Sequence, residues 1–445
     1  MTPTSRESLL GSTFDCECGR RHVVTTRRLV TAPGALDQLV EVATAELPAG
    51  EWAMAWDRHT YEAAGRAAEE RLKAAGKRLR PLLIDEDEPS ATVQNVAALA
   101  ERAEGVAAVI SVGSGTVNDL GKGAATRLSV PFLTVGTAAS MNGYTSSITA
   151  LLDDGLKTTV PATPAVAVVC DLDVMAAAPV RLTRAGLGDV VSKPACNADW
   201  RLSHILLGAH FCPRPVALIK ELEDVYLPRA EGLLRGDRET LGALTEALLY
   251  SGVSMCIAGS SAPASGAEHL ISHTIDMMAL LADEAHDLHG TQVGVGTSFM
   301  LRLYDWAMAR SAADFATPIT IDIEAMKTRL EREWGPTARA VVPQALAQFD
   351  ANGRPQIGGA AVVEAWPRIV DELAPILAGS DRIERALRAA GAAAHYEQLG
   401  LDRSGFEDVV RRASFIRNRY TLLHLLRDHG LLEDGLSAVL ADWRA

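Results

Sequence analysis

An N-terminal α/β domain followed by an all-α C-terminal domain is the fold class that three observations predict. Short apolar runs alternate with helical patterns from Glu51 to Asp173. The strand signal vanishes after about residue 174, and long helical patterns then run to the C-terminus, punctuated at Pro179, Pro213, Gly259, Pro263, Gly290 and Pro343. Alternation of the first kind is the mark of parallel β/α units, so a doubly wound sheet is expected within residues 1–174 and a helical domain within 175–445. The chain has 445 residues, more than one hydrophobic core usually serves, which agrees with two domains.

Taken in order, strands are expected at 52–56, 79–84, 107–112, 131–135 and 165–170, each a short apolar run. Helices are expected at 61–75, 92–103 and 117–127, where alanine, leucine and charged residues recur at helical spacing. Doubly wound sheets bind nucleotides outside the carboxyl ends of their strands, so the loops after these strands are where chemistry is sought. The acidic run Asp85, Glu86, Asp87, Glu88 reads as a solvated loop, and the Gly- and Pro-bearing stretch 350–359 as a loop between helices. No internal repeat or low-complexity segment interrupts the pattern.

Composition narrows the function. With 48% hydrophobic and 22% charged residues the chain reads as a soluble globular protein, and its net charge of −13 argues against a nucleic-acid partner. A small anionic substrate remains compatible, since a few local cations can hold one phosphate. The N-terminus MTPTSRESLLGSTFD lacks the apolar run of a signal peptide, and no stretch of about 18 uninterrupted apolar residues occurs, so a cytoplasmic protein without membrane insertion is expected. Six cysteines in so long a chain are no disulfide framework. Cys170, Cys196, Cys212 and Cys256 lie in apolar surroundings and read as reduced, buried thiols. CECGRRH offers Cys16, Cys18 and His22, which is only three metal ligands in a weak CxC pattern, so an ordinary turn is expected there.

Two constellations carry chemistry. In VISVGSGTVNDLGKGAA a small-residue turn joins an apolar strand to a helix, and the backbone N–H groups of Gly113, Ser114, Gly115 and Thr116 can approach a pyrophosphate. It is no Walker A loop, because five residues separate Gly115 from Gly121 and Gly123 follows Lys122. Asn118 stands where the dinucleotide fingerprint has its third glycine. Asp57, ending an earlier strand, can bind a ribose 2′-hydroxyl and repel a 2′-phosphate, which favours NAD over NADP. The second constellation is imidazole-rich. His269 and His273 are four apart and share a helix face, and His289 follows a loop. Asp189, after Gly188, is read as opening a helical stretch, where alone it would be an N-terminal capping carboxylate. Together Asp189, His269 and His289 describe a site with open positions for zinc, nickel or ferrous iron. HLISH lacks the glutamate of a zincin, and no GxSxG elbow occurs.

As a set, GSGTVNDLGK, TAASMNGYTSS, GDVVSK with DWRLSH, SGAEHLISH and HGTQVGVGT resemble the sn-glycerol-1-phosphate dehydrogenases, relatives of iron-containing alcohol dehydrogenases, glycerol dehydrogenase and dehydroquinate synthase. The likeness runs in order from about residue 20 to RNRYTLLHLL near the C-terminus. It implies a Rossmann-like nucleotide-binding domain and a helical metal- and substrate-binding domain, as in dehydroquinate synthase. It implies that Asp189, His269 and His289 ligate the metal, that Asp189 also meets substrate, and that His273 touches substrate and orients or relays a proton. It puts NAD or NADP against Asp57, Gly113, Gly115, Thr116, Val117, Asn118, Asp119, Thr137, Ala138, Ala139, Ser140 and Ser146. Asn142 matches a substrate-contacting position that is commonly aspartate, and an amide there can hydrogen-bond but carries no charge.

The implied reaction is reversible hydride transfer between NAD(P)H and C2 of dihydroxyacetone phosphate, giving sn-glycerol 1-phosphate, with one divalent zinc, nickel or iron ion in a homodimer that feeds phospholipid biosynthesis. Lys157, Lys193, Arg417 and Arg419 are candidates for the substrate phosphate. The alternatives are a related dehydrogenase of an unphosphorylated polyol or alcohol, a dehydroquinate synthase-like cyclase, and a nucleotide-binding regulatory protein without catalysis.

Overall fold

The computed structural model describes residues 5–86, 89–153 and 156–444, without the side chains of 156–158. A hairpin of β1 (Thr13–Asp15) and β2 (Arg21–Val23) comes first. The α/β region follows as β3 (Arg28–Ala32), α1 (Leu39–Glu46), β4 (Glu51–Asp57), α2 (Arg66–Ala74), β5 (Arg78–Ile84), α3 (Val93–Arg102), β6 (Ala108–Gly113), α4 (Gly115–Leu128) and β7 (Phe132–Gly136). An antiparallel pair, β8 (Ile148–Asp153) and β9 (Leu156–Pro161), precedes β10 (Ala167–Asp171). Helices then take over: α5 (Val180–Val190), α6 (Lys193–Leu207), α7 (Pro213–Tyr226), α8 (Arg238–Ala258), α9 (Ala267–Ala282), α10 (His289–Met308) and others beyond.

The described residues fall into two compact units. One takes those up to Val190 with Cys212–Ser261 and Ala389–Gly391, so α7 and α8 belong with the sheet. The other takes Val191–Phe211, Ala262–Arg388 and those from Ala392 onward.

In the first unit β3, β10, β7, β6, β4 and β5 lie side by side in that order, all parallel. Every residue of β6, β7 and β10 is buried, which is why these strands read as unbroken apolar runs: a parallel sheet is covered on both faces. The edge strand β5 keeps Arg78 and Arg80 toward the surface. At the other edge β3, RLVTA, is half-buried, and no strand was expected there because its only fully buried residue is Val30. From β4 the chain runs outward to β5 and returns on the other side at β6, so the strand order reverses between β4 and β6. Ligands of doubly wound sheets sit in the crevice outside the carboxyl ends at such a reversal. Helix α8 is long and apolar enough to cross a membrane by length and composition, but 83% of its most apolar window is buried, as suits a core helix.

In the second unit α10 packs on α9, and both meet α6. The middle of α10 packs into an aromatic cluster in which the Phe299 ring lies 5.2 Å from Phe406 and 5.9 Å from Trp443. Gly296 allows the close approach of α10 to α9, since a Cβ there would lie 2.8 Å from the Glu268 carbonyl oxygen.

Candidate active site

The carboxyl edge of the sheet carries the nucleotide-type residues of the first unit. Ala55 of β4 pairs with Ser111 of β6, so Asp57 and Gly113 stand level two residues further on. Gly113 pairs with Gly136 of β7, and the Thr137 N–H donates to the Gly113 carbonyl at 3.3 Å. Asp57, Gly113 and Thr137 are thus aligned along three adjacent strand ends. Ser114 is the N-cap of α4 without a side-chain hydrogen bond to the helix, and α4 has 14 residues, so its first N–H groups and the helix dipole are available to an anion. Nothing lies within 4 Å of where a Gly115 Cβ would be, leaving the backbone open to approach. The glycine that lets the helix lie on the sheet is Gly121, whose Cβ would be 2.9 Å from that of Ser111. Asn118 is fully buried and donates to Asp119 at 3.2 Å. The Asp57 carboxylate accepts from the Thr60 N–H at 2.7 Å and caps the turn that follows β4.

The loop after β7 is held from beneath by Lys122. Its buried ammonium donates to the carbonyls of Gly143 (2.6 Å) and Ile148 (2.7 Å) and to Ser146 Oγ (3.1 Å). Burial pushes the Lys122 pKa down and that of Asp119, 3.9 Å away, up. Lys122 is therefore a loop clamp. Ser146 is 1% exposed, with its hydroxyl committed to this network, whereas Thr137, Ala138 and Ala139 are buried at the strand end and Ser140 is half-buried. Two glycines seat the loop on neighbouring helices. A Cβ at Gly186 of α5 would fall 1.9 Å from the Ala139 carbonyl oxygen, and one at Gly252 of α8 would fall 2.1 Å from Thr145 Oγ1.

Asp189 does not open a helix, as its position after Gly188 suggested; it lies in the last turn of α5. A carboxylate there caps nothing and meets the negative end of the helix dipole, so helix formation does not explain it. It is 1% exposed and held by one residue twice: the Asn142 N–H donates to Oδ2 at 2.9 Å and Asn142 Nδ2 to Oδ1 at 3.1 Å.

The second unit gathers the three histidines. The His269 and His289 rings are 5.2 Å apart, and His273 stacks on His289 at 5.2 Å and 18°. His269 Nδ1 lies 2.8 Å from Glu268 Oε1, which also accepts from the Gly266 N–H, while His289 Nδ1 lies 2.9 Å from Ser272 Oγ, which bonds Gln292. With both Nδ1 atoms engaged, Nε2 is the atom each ring can offer a metal, the usual arrangement for ligating histidines. These residues fit a divalent ion.

Asp199 builds the platform under α9. Its buried carboxylate accepts from the Ala267 N–H (2.7 Å), the Leu422 N–H (2.8 Å) and the Tyr304 hydroxyl (2.5 Å). Burial, with the Glu268 charge adding, pushes its pKa up to about 7. Nearby in chain order, Lys193 begins α6 and is 4% exposed, and among the described residues its ammonium has no hydrogen-bond partner. An unpaired buried ammonium is costly. Arg419 donates to the Ser265 carbonyl, and burial pushes the pKa of both Arg417 and Arg419 down. The Lys157 side chain lies outside the described residues, as do Asp87 and Glu88 of the acidic run.

Glu268, Ser272, Asp199 and Lys122 were not singled out by sequence reasoning, although each lies inside or beside a quoted motif. Cys212 is a free, buried thiol, as expected, and its Sγ also lies 3.7 Å from Cys16 Sγ and 3.7 Å from His22 Nε2, giving CECGRRH the fourth donor it lacked.

A nucleotide-type sheet edge together with imidazoles poised for a metal defines a metal-dependent, NAD(P)-linked dehydrogenase. Comparison with known proteins agrees: a family model described as iron-containing alcohol dehydrogenase matches residues 30–179. The glycerol-1-phosphate dehydrogenase (NAD(P)+) of Geobacillus thermodenitrificans is 30% identical over 385 residues, covering 85% of this chain and 86% of that protein. Its namesake from Methanosarcina mazei is 35% identical over 291 residues, covering 64% and 79%. This chain belongs to the glycerol-1-phosphate dehydrogenase family and is an oxidoreductase. The glycerol dehydrogenase structure from Schizosaccharomyces pombe shares the fold, with a TM-score of 0.63 at 16% identity over 93% of this chain and 89% of that one.

Proposed function

We propose that the enzyme reduces dihydroxyacetone phosphate to sn-glycerol 1-phosphate, reversibly, with NAD as the preferred cofactor and one zinc or nickel ion held by Asp189, His269 and His289. When bound, the metal supplies Lewis-acid polarisation of the substrate oxygens and the nicotinamide supplies the hydride. The protein's share is orientation. Glu268 and Ser272 fix the two imidazoles in the tautomer that presents Nε2, and Asn142 holds Asp189 by two hydrogen bonds. His273, one helical turn from His269, orients or relays the proton that reaches the substrate oxygen at C2. The N-terminus of α4 takes the pyrophosphate and Asp57 the ribose hydroxyls, with Thr137, Ala138, Ala139 and Ser140 lining the cofactor's path. Ser146 acts through the loop that Lys122 clamps.

The observation that carries the phosphorylated substrate is the Lys193 ammonium, buried and without a hydrogen-bond partner among the described residues, and so suited to an anion. Arg417 and Arg419 are proposed to join it. A cytoplasmic homodimer making a phospholipid precursor goes with this reading. Asn142, where relatives commonly carry a charge, favours one rival, an unphosphorylated polyol as substrate.

The test follows NADH oxidation with dihydroxyacetone phosphate and with free dihydroxyacetone, on protein stripped by chelator and reloaded separately with zinc and nickel. Metal-dependent oxidation that prefers the phosphate ester and yields sn-glycerol 1-phosphate on chiral analysis is expected. Equal rates on both ketones would sink the phosphate claim, and turnover without net NADH consumption would point to a cyclase.

A further inference from the structure

A second cluster of metal-ligating side chains lies in the first unit. Cys16 and Cys18 sit in the turn between β1 and β2, His22 is on β2, and Cys212 is the N-cap of α7. The four donor atoms all lie within 4.8 Å of one another. Cys16 Sγ lies 3.7 Å from Cys212 Sγ, Cys18 Sγ 3.2 Å from His22 Nε2, and Cys212 Sγ 3.7 Å from His22 Nε2. A zinc ion about 2.3 Å from sulfur and about 2.0 Å from nitrogen spaces its tetrahedral ligands at about 3.8 Å between sulfurs and about 3.5 Å from sulfur to nitrogen. The observed edges straddle those lengths.

We propose that Cys16, Cys18, His22 and Cys212 bind a structural zinc ion that clips the β1–β2 hairpin to the start of α7. Three thiolates and one imidazole leave no open position, which distinguishes a structural from a catalytic centre. The surroundings support the ligands. The His22 ring makes a backbone hydrogen bond with Ile257 of α8, an outer contact that fixes its orientation while Nε2 faces the sulfurs. The turn itself is built for two cysteines in close sequence: the Gly19 N–H donates to the Cys16 carbonyl at 3.0 Å, and Gly19 takes φ +81°, a conformation that favours glycine. The hairpin also needs a fastening. Its strands have three residues each, and a two-stranded ribbon that short is marginal in water. His22 and Cys212 are buried, so the ion would sit largely under the protein surface.

The experiment separates this zinc from metal at the histidine and aspartate site by its thiolate ligands. Protein purified under reducing conditions is assayed for zinc, and release to a chromogenic chelator is followed while thiols are titrated with a mercurial. About one zinc ion per chain released by the mercurial is expected, retained in His269→Ala and lost in Cys18→Ser. Substituting cobalt(II) for zinc in the unaltered protein should give thiolate-to-cobalt charge-transfer absorption, a readout that survives even if Cys18→Ser fails to fold. Thiols that titrate without releasing zinc, cobalt spectra lacking that absorption, or recovery of a Cys16–Cys212 disulfide as the resting state would each overturn the proposal.

Discussion

Asn142 grips Asp189 with both its backbone N–H and its side-chain amide, at 2.9 and 3.1 Å, so that each carboxylate oxygen receives one donor. A carboxylate at position 142 could not make the second contact. The amide thus serves as a support for Asp189. Asn142→Leu keeps the backbone donor and removes the other. Metal affinity, measured by competition with a chromophoric chelator, should fall about 10-fold or more, as losses of outer contacts to ligands do. NADH affinity should stay unchanged in Asn142→Leu and in Asn142→Asp. A large shift in either would show that the residue serves the cofactor instead.

His269 and His273 share a helix face but are assigned different work. His269→Ala should lose bound metal and activity together. His273→Ala should keep its metal and lose rate, by a factor of about 10²–10⁴ if it moves a proton. Metal analysis beside steady-state kinetics distinguishes them, and full activity in His269→Ala would remove it from the ligand set.

Two glycines predict opposite behaviour. Gly186→Ala places a methyl group 1.9 Å from a backbone oxygen that cannot swing aside, so α5 or the Ala139 loop must move. Its cost should be about 1–3 kcal/mol of stability or more, read by denaturant unfolding. Gly115→Ala meets nothing within 4 Å and should leave stability nearly unchanged, yet NADH should bind more weakly because the methyl group occupies the approach to the first turn of α4. Unaltered NADH affinity in Gly115→Ala would move the pyrophosphate elsewhere.

Asp199 gives the folded protein a pH signature. Its pKa is near 7 when folded against 3.8 for the free side chain, so between those values the native state holds a proton that the unfolded chain has released. Stability from this group is therefore greatest at the acid end of the window and declines as pH rises toward 7, where both states are ionised. Melting temperatures of chelator-treated protein, compared with Asp199→Asn at each pH, should show wild type gaining on the variant as pH falls from about 7 to about 4. Parallel curves would mean that Asp199 is ionised throughout.

Legibility in the sequence followed physical locality. Strands β4, β6, β7 and β10 were readable because burial on both faces leaves apolar runs, and the edge strand β5 because of its short run Leu82–Ile84, whereas β3, short and half-buried, leaves no such trace. The histidines were readable because a four-residue spacing on a helix is a geometric statement. Asp189 was recognised as a residue but assigned to the wrong end of a helix, since Gly188 looked like a start and α5 in fact accommodates glycines at 186 and 188 in its interior. The Lys122 clamp was hidden because its partners, Gly143, Ser146 and Ile148, lie 21 to 26 residues further on in a loop that returns to it. Cys212 lies 196 residues from Cys16, and no local pattern announces a partner so distant.

Helix α8 joins the sheet-bearing unit from beyond Val191–Phe211, which belongs to the other, and the Thr145 hydroxyl donates to the carbonyl of its Leu249. During synthesis the strands therefore emerge well before the helix that completes their cover, and the nascent chain must wait for residues up to Ala258 before that unit can close. A fragment ending near Val190 would carry all six parallel strands and still be an unfinished unit, exposed to aggregation. The order of elements along the gene product makes folding of the nucleotide half a late event, tied to the length of chain already delivered.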